Sequence, residues 1–314
     1  MRGFMASRCL LTALELDVFT AVDRGATARQ VAEELDADTR AVGMLLNALV
    51  ALGLLSKDDD EYRNTPQSAR YFVRDSSDNQ RDHLLHVVGL WHTWSNLSVS
   101  VRRGKCVPVE YYNSHDWPRN FIVAMHSYAE DCAASLLNIL GTEGVCSVLD
   151  LGGGSGAYSI AFAKAAPHVR CDILDLPEVL PLTSGYVGKA GVSRQIRLRA
   201  GDMLHDDFGS GYDLVMLNAV CHMFSERQNQ ELFRRVRQAL VPNGRLAVQD
   251  FILNSEKTGP LQAALFSLNM LVGTPAGACY NEAEYMAWMR AAGFAEVRRV
   301  PLQGTSDLIV GVAK

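Results

Sequence analysis

No stretch of this 314-residue chain holds the run of roughly 18–20 apolar residues that a membrane helix needs, so no membrane partner is expected. Positive charge is also scarce. Lys and Arg number 30 against 35 Asp and Glu, a formal net charge of −5. A general binder of polyanions needs clustered Lys and Arg, so nucleic acid is not an expected partner. Cysteine pairs at metal or redox spacing are missing. Cys9, Cys106, Cys132, Cys146, Cys171, Cys221 and Cys279 are scattered, with no CxxC among them. That excludes a zinc knuckle, a redox motif and a disulfide framework, and suits a reduced, cytoplasmic setting. The opening Met1-Arg2-Gly3-Phe4-Met5 meets Glu15 and Asp17 too soon to read as a secretory signal. No internal repeat is evident. What is present is an ordinary globular composition, 48% hydrophobic and 21% charged, with length enough for two domains.

Residues 7–23 carry Leu10, Leu11, Leu14 and Val18 at helical spacing, and Gly25 stops the helix. Thr27 suits the N-cap of a short helix over 28–35. Asp38 or Thr39 caps another, which bears Val42, Leu45, Leu46, Leu49 and Leu52 and ends at Gly53. Leu54-Leu55 and Tyr62-Arg63-Asn64 predict two short strands around the turn Lys57-Asp58-Asp59-Asp60. Helix, helix, helix, hairpin is the order of a winged helix. Residues 1–75 hold nine Arg and Lys against twelve Asp and Glu, and the wing tip is three aspartates that phosphates would repel. A helical domain that packs against a second copy of itself suits this charge better than a DNA reader.

After the polar break at 75–79 comes a helix rich in aromatics and histidine, with His83, His86, Trp91, His92 and Trp94. His83 and His86 share a helix face, but no further metal ligands match them, so no metal is expected. Trp and His can line a small-molecule pocket, and equally can fill a domain interface. Residues 105–119, with Pro108, Tyr111, Tyr112 and Trp117, read as loop. Residues 119–140 read as helix, with Met125 and His126 as pocket candidates. These middle residues, 76–140, are expected to link the first domain to a third segment, 141–314.

In that segment strands and helices alternate. Strands are predicted over 146–151, 169–174, 196–198, 212–218, 245–251, 295–301 and 306–313, with helices over 157–166, 226–240 and 281–292. Such alternation predicts an α/β fold with a doubly wound, mostly parallel, Rossmann-like sheet. The first strand runs into Gly152-Gly153-Gly154-Ser155-Gly156 and then a helix. Glycine permits positive φ and lets a ligand approach the backbone. Asp175 ends the second strand, 21 residues after Gly154, where an acid accepts from ribose hydroxyls. Asp150 opens the loop with a carboxylate. An anion there repels the pyrophosphate of NAD and suits a ligand bearing an ammonium and a sulfonium. Asp202, after the third strand, can accept from an adenine amino group.

These motifs resemble a known family. Asp150-Leu151-Gly152-Gly153-Gly154-Ser155-Gly156 is similar to motif I of class I S-adenosylmethionine-dependent methyltransferases. Asp175-Leu176-Pro177, Gly201-Asp202-Met203 and Pro242-Asn243-Gly244-Arg245-Leu246 resemble segments of one branch, the plant-type and acetylserotonin-type O-methyltransferases. The resemblance spans nearly the whole chain. It implies a winged-helix dimerisation domain at 1–75, a homodimer, and S-adenosyl-L-methionine held by Asp150, Gly152, Gly154, Asp175, Leu176, Asp202, Met203 and Asn218. S-adenosyl-L-homocysteine would be the product.

The resemblance also implies a base. His222, in Asn218-Ala219-Val220-Cys221-His222-Met223-Phe224, matches the family histidine after the fourth strand, and Asp250 matches an acid that orients it. Three departures stand out. Met223-Phe224 replaces Asp-Trp, a second family glutamate falls at Cys279, and a lysine near the cofactor is Asn218. Trp91, Met125, His126, Phe266, Asn269 and Met270 are the expected substrate-pocket residues, although side chains of these types at helical spacing serve equally as core. The acceptor is expected to be a hydroxyl of a small aromatic or polycyclic molecule. Methylation at carbon or nitrogen, or another reaction that retains the cofactor, is the alternative on the same scaffold. His115, His168 and His205 are assigned no role.

Overall fold

The computed structural model describes residues 2–109, 117–302 and 304–314, so Tyr111, Tyr112 and His115 lie outside the described residues. The chain divides into two compact units, Met1–Trp91 and His92–Lys314.

The first unit begins with α1 (Gly3–Glu15) and α2 (Val18–Ala21). The sequence pattern predicts one helix here, but Asp17 takes a left-handed φ of 60° and divides it. Asp tolerates that conformation because its short polar side chain bonds locally, here by accepting from Thr20 Oγ1 at 2.7 Å. Then come β1 (Ala26–Thr27), α3 (Ala28–Glu34), α4 (Thr39–Ala51), β2 (Leu55–Asp58), β3 (Glu61–Asn64), α5 (Pro66–Phe72) and α6 (Arg81–Trp94). Thr27 and Gln30 form a capping box on α3, and Asp38 caps α4 through the Ala41 N–H at 2.8 Å. Each such cap is worth about 1 kcal/mol. Leu14, Phe19, Val31, Leu46 and Leu49 fill the core. The strands pair in the order β1-β3-β2 beside the helices, as a winged helix requires.

The second unit holds α7 (Leu97–Arg103), α8 (Trp117–Leu140), β4 (Ser147–Leu151), α9 (Ala157–Ala165), β5 (Arg170–Asp175), α10 (Leu180–Lys189), β6 (Ile196–Ala200) and β7 (Tyr212–Asn218). It continues with α11 (Glu226–Ala239), β8 (Leu240–Asp250), α12 (Leu261–Gly273), α13 (Glu282–Ala291), β9 (Phe294–Pro301) and β10 (Asp307–Ala313). The seven strands lie in the order β6-β5-β4-β7-β8-β10-β9. β4 to β8 pair in parallel, and β10 runs antiparallel to both β8 and β9. Side chains alternate strictly across the sheet. Val148, Leu214 and Met216 pack under α8 and α9, whereas Leu149, Val215 and Leu217 pack under α11 and α13.

Several elements differ from the sequence pattern. α8 begins at Trp117 rather than at residue 119. β8 begins at Leu240 rather than Arg245, with a register shift against β7 where Asn243 takes φ 65°. α10 has no strong helical signature, because Gly185, Gly188 and Pro181 weaken its intrinsic propensity. Among the described residues, no helix is long and apolar enough to cross a membrane.

The order reverses at β4. β5 lies on one side and β7 on the other, so the loops after β4 and β7 open a crevice at the carboxyl edge of the sheet.

Candidate active site

Two clusters meet at that edge. The first surrounds the glycine loop after β4. Asp150 is fully buried, and its Oδ2 accepts from Ser159 Oγ of α9 at 2.7 Å. Burial pushes the Asp150 carboxyl up to about 7, with the Ser159 hydrogen bond opposing and the Asp175 charge adding. Gly152 has φ 67°, and a Cβ there would fall 2.7 Å from Met203 Cε and 3.1 Å from Val220 Cγ2. Only glycine fits. Asp175 holds the loop from the neighbouring strand: its Oδ2 accepts from the Gly154 N–H and its Oδ1 from the Leu176 N–H, both at 2.7 Å. Burial raises its carboxyl above the ordinary range. Asp202 accepts from the Leu204 N–H at 2.8 Å and stays half exposed. Asn218, at the end of β7, is buried.

Asp150 Oδ1 and both amide atoms of Asn218 have no hydrogen-bond partner among the described residues. Buried polar atoms without partners are costly, and a ligand that carries both donors and acceptors would relieve them. The glycine cradle, the two carboxylates and these unmatched atoms fit a polar nucleoside that bears a cation.

The second cluster surrounds His222. The backbone leaves β7 through Ala219 at φ 54° and enters a 3₁₀ turn, Cys221–Met223. Asn229 Nδ2 donates to Cys221 O at 2.9 Å and Tyr280 Oη to Phe224 O at 2.6 Å, which pins that turn. His222 is 5% exposed, and its Nδ1 lies 2.6 Å from Asp250 Oδ1. An ionised carboxylate only accepts, so Nδ1 carries the proton and Nε2 is left as an acceptor. Phe266 of α12 meets the imidazole edge-on at 4.8 Å between centroids, and Phe251 stacks on Phe266 at 4.1 Å. The arrangement can take a proton from a hydroxyl beside an apolar aromatic wall.

The remaining residues distribute as follows. Asn269 Oδ1 accepts from Trp94 Nε1 at 2.8 Å, and Met270 is buried on the same helix. His126 Nδ1 bonds Ser155 Oγ at 2.8 Å, and its ring lies 3.9 Å from that of Tyr186, so α8 brings it to the glycine loop. Met125 is its half-buried neighbour. Trp91 belongs to the first unit, where the Arg8 guanidinium lies over its ring at 5.8 Å. His86 is lowered to about 4 by burial and by His83. No group of three or more metal-ligating side chains occurs among the described residues. Sequence reasoning missed Ser159, Phe251 and Tyr285. Phe251 adjoins Asp250, but Ser159 and Tyr285 carry no local signal.

Fold and site together define an α/β protein with a Rossmann-like sheet, a glycine loop at its switch point and a buried His–Asp pair. The sequence matches the O-methyltransferase domain family over residues 104–295 and the O-methyltransferase dimerisation domain over residues 1–74. The chain is 32% identical to the 3-hydroxy-5-methyl-1-naphthoate 3-O-methyltransferase of Streptomyces sahachiroi, across 99% of this chain and 92% of that protein. The structure of PigF with SAH, a Serratia methyltransferase, superposes with a TM-score of 0.90 at 28% identity, covering 99% and 97% of the two chains. Human N-acetylserotonin methyltransferase in complex with SAM gives 0.82 at 26%, covering 99% and 94%. The chain belongs to the S-adenosyl-L-methionine-dependent O-methyltransferase family.

Proposed function

We propose that this enzyme methylates a hydroxyl of a small aromatic or polycyclic molecule, with His222 as general base. The observation that carries the reading is the His222–Asp250 pair, with its Nδ1 engaged and Phe251 and Phe266 beside the ring. S-adenosyl-L-methionine, when bound, supplies a methyl group on a cationic sulfur. Asp150, Gly152, Gly154, Asp175, Leu176, Asp202, Met203 and Asn218 would hold it. His222 Nε2 takes the proton of the acceptor hydroxyl. Asp250 keeps the imidazole in the tautomer that can do so and stabilises the imidazolium that forms. Phe266 and Asn269 of α12, with Met270 and Met125, line the acceptor side in this reading, whereas His126 adjoins the glycine loop on the cofactor side. Helix α8, within the second unit, supplies part of that wall.

Calorimetric titration tests the cofactor assignment. S-adenosyl-L-methionine and S-adenosyl-L-homocysteine should bind at micromolar concentrations, and NAD not at all. Asp175→Ala should weaken both by about 1–3 kcal/mol through lost charged hydrogen bonds. Unchanged affinity would mean that another group holds the ribose.

Residues 1–75 are proposed to form a homodimer. Phe4, Met5, Leu16, Met44 and Leu52 of the first unit are exposed large apolar side chains, which a second copy would cover. Met5→Glu combined with Met44→Glu should halve the mass found by light scattering. A dimer that persists would move the interface elsewhere. The unpaired state of all seven cysteines suits the reduced cytoplasm proposed as its setting.

A further inference from the structure

We propose that Tyr285 is a positioning residue of this site, whose phenol sets how readily the His222–Asp250 pair takes up a proton. The inference rests on the reading of His222 as base. The Asp250 carboxylate accepts four hydrogen bonds. Oδ1 takes one from His222 Nδ1 at 2.6 Å and one from the Phe251 N–H at 2.8 Å. Oδ2 takes one from the His222 N–H at 3.0 Å and one from Tyr285 Oη at 2.9 Å. Three of these donors belong to the turn and strand end that carry the pair. The fourth crosses from α13, 35 residues further along the chain.

Core packing does not require that hydroxyl. Tyr285 is fully buried, and the rings of Phe233, Tyr280 and Trp288 surround it at centroid distances of 6.4, 6.0 and 5.4 Å. A phenylalanine would offer them the same ring. The hydroxyl's hydrogen-bond partner is Asp250. Burial, and then the Asp250 charge, push the phenol well above its ordinary range, so Tyr285 donates and does not ionise.

The other groups that face the pair are also neutral near pH 7. Burial and Asp250 raise Cys221 on the 3₁₀ turn and Cys279 before α13. Burial raises Tyr280 to about 12, with Glu284 of α13 and Glu226 of α11 adding to it. In this reading the pair is the unit that takes up the acceptor's proton. Its deprotonated form, neutral imidazole with carboxylate, has a net charge of −1, and its protonated form has none. The Tyr285 O–H dipole stabilises the negative form more, because in the protonated form the imidazolium opposes it. Removing the hydroxyl should raise the pair's proton affinity about tenfold, or about one pH unit.

The test follows His222 by NMR in the full-length protein labelled with ¹⁵N-histidine, its signals identified by their loss in His222→Gln. In Tyr285→Phe the titration midpoint should rise by about one pH unit. The acid limb of kcat/KM should rise with it, while S-adenosyl-L-methionine affinity stays constant. Should Tyr285→Phe fail to fold, 3-fluorotyrosine at position 285, a stronger donor, should move both readouts to lower pH. A residue that only filled space would change the rate equally at every pH. An His222 midpoint that moves in neither variant overturns the inference. A midpoint that moves while the rate profile does not rejects His222 as the base on which the inference rests.

Discussion

Replacing His222 with alanine should lower methyl transfer by about 10²–10⁴-fold while leaving S-adenosyl-L-methionine affinity unchanged. The imidazole is nearly buried, its Nδ1 is committed to Asp250, and Nε2 is the acceptor that remains. Cys279 is buried, and burial and the Asp250 charge raise its thiol, so it cannot take over as base near neutral pH. Asp250 belongs to the same unit. Asp250→Asn can accept at only one atom and would favour the wrong tautomer, so its loss should approach that of His222→Ala. The affinity is read by calorimetry and the rate by radiolabelled methyl transfer to a phenolic acceptor. A loss of less than tenfold with intact affinity would assign proton removal to another group or to the solvent.

Asp150→Asn should act in opposite directions on stability and on cofactor binding. Burial holds the Asp150 carboxyl at about 7 in the fold, against an ordinary 3.8. The folded state therefore keeps a proton that the unfolded chain releases. By linkage, stability falls as pH rises from about 4 to about 7 and stays reduced above that. The asparagine variant has no such proton to lose. Without ligand it should be more stable than the parent by about 1–3 kcal/mol at pH 8 and equal to it near pH 4, as read by melting temperature. Its cofactor affinity should drop about 10–100-fold, because a neutral amide does not offset a cation as a carboxylate does. The buried acid would then be a stability cost retained for binding. Equal melting curves at pH 8 would show that Asp150 is solvated well enough to ionise freely. Undiminished affinity would remove it from the cofactor site.

Much of the fold was legible in the sequence because its signals are local. The apolar run at 147–151, the glycines after it and the helix from Ala157 lie within one short stretch of chain, and each residue restricts its neighbours directly. Caps at Thr27 and Asp38 likewise mark helix starts through atoms three residues away. Where a segment's own propensity was weak, as in α10, the helix was invisible until packing against the sheet supplied its stability. Asp17 shows the converse. The apolar spacing runs through it, and one local hydrogen bond breaks the helix.

Local sequence is enough to define the strand–glycine loop–helix unit, the acids at the ends of β4 and β5, and the histidine after β7. These depend on spacing along the chain. What they face is set by packing across the fold. It set β7 beside β4, brought Tyr285 to Asp250 and Trp94 to Asn269, and carried His126 to the glycine loop rather than to His222. Contacts between residues 29 to 175 positions apart leave no periodic trace, because they form only when the sheet and its covering helices pack together.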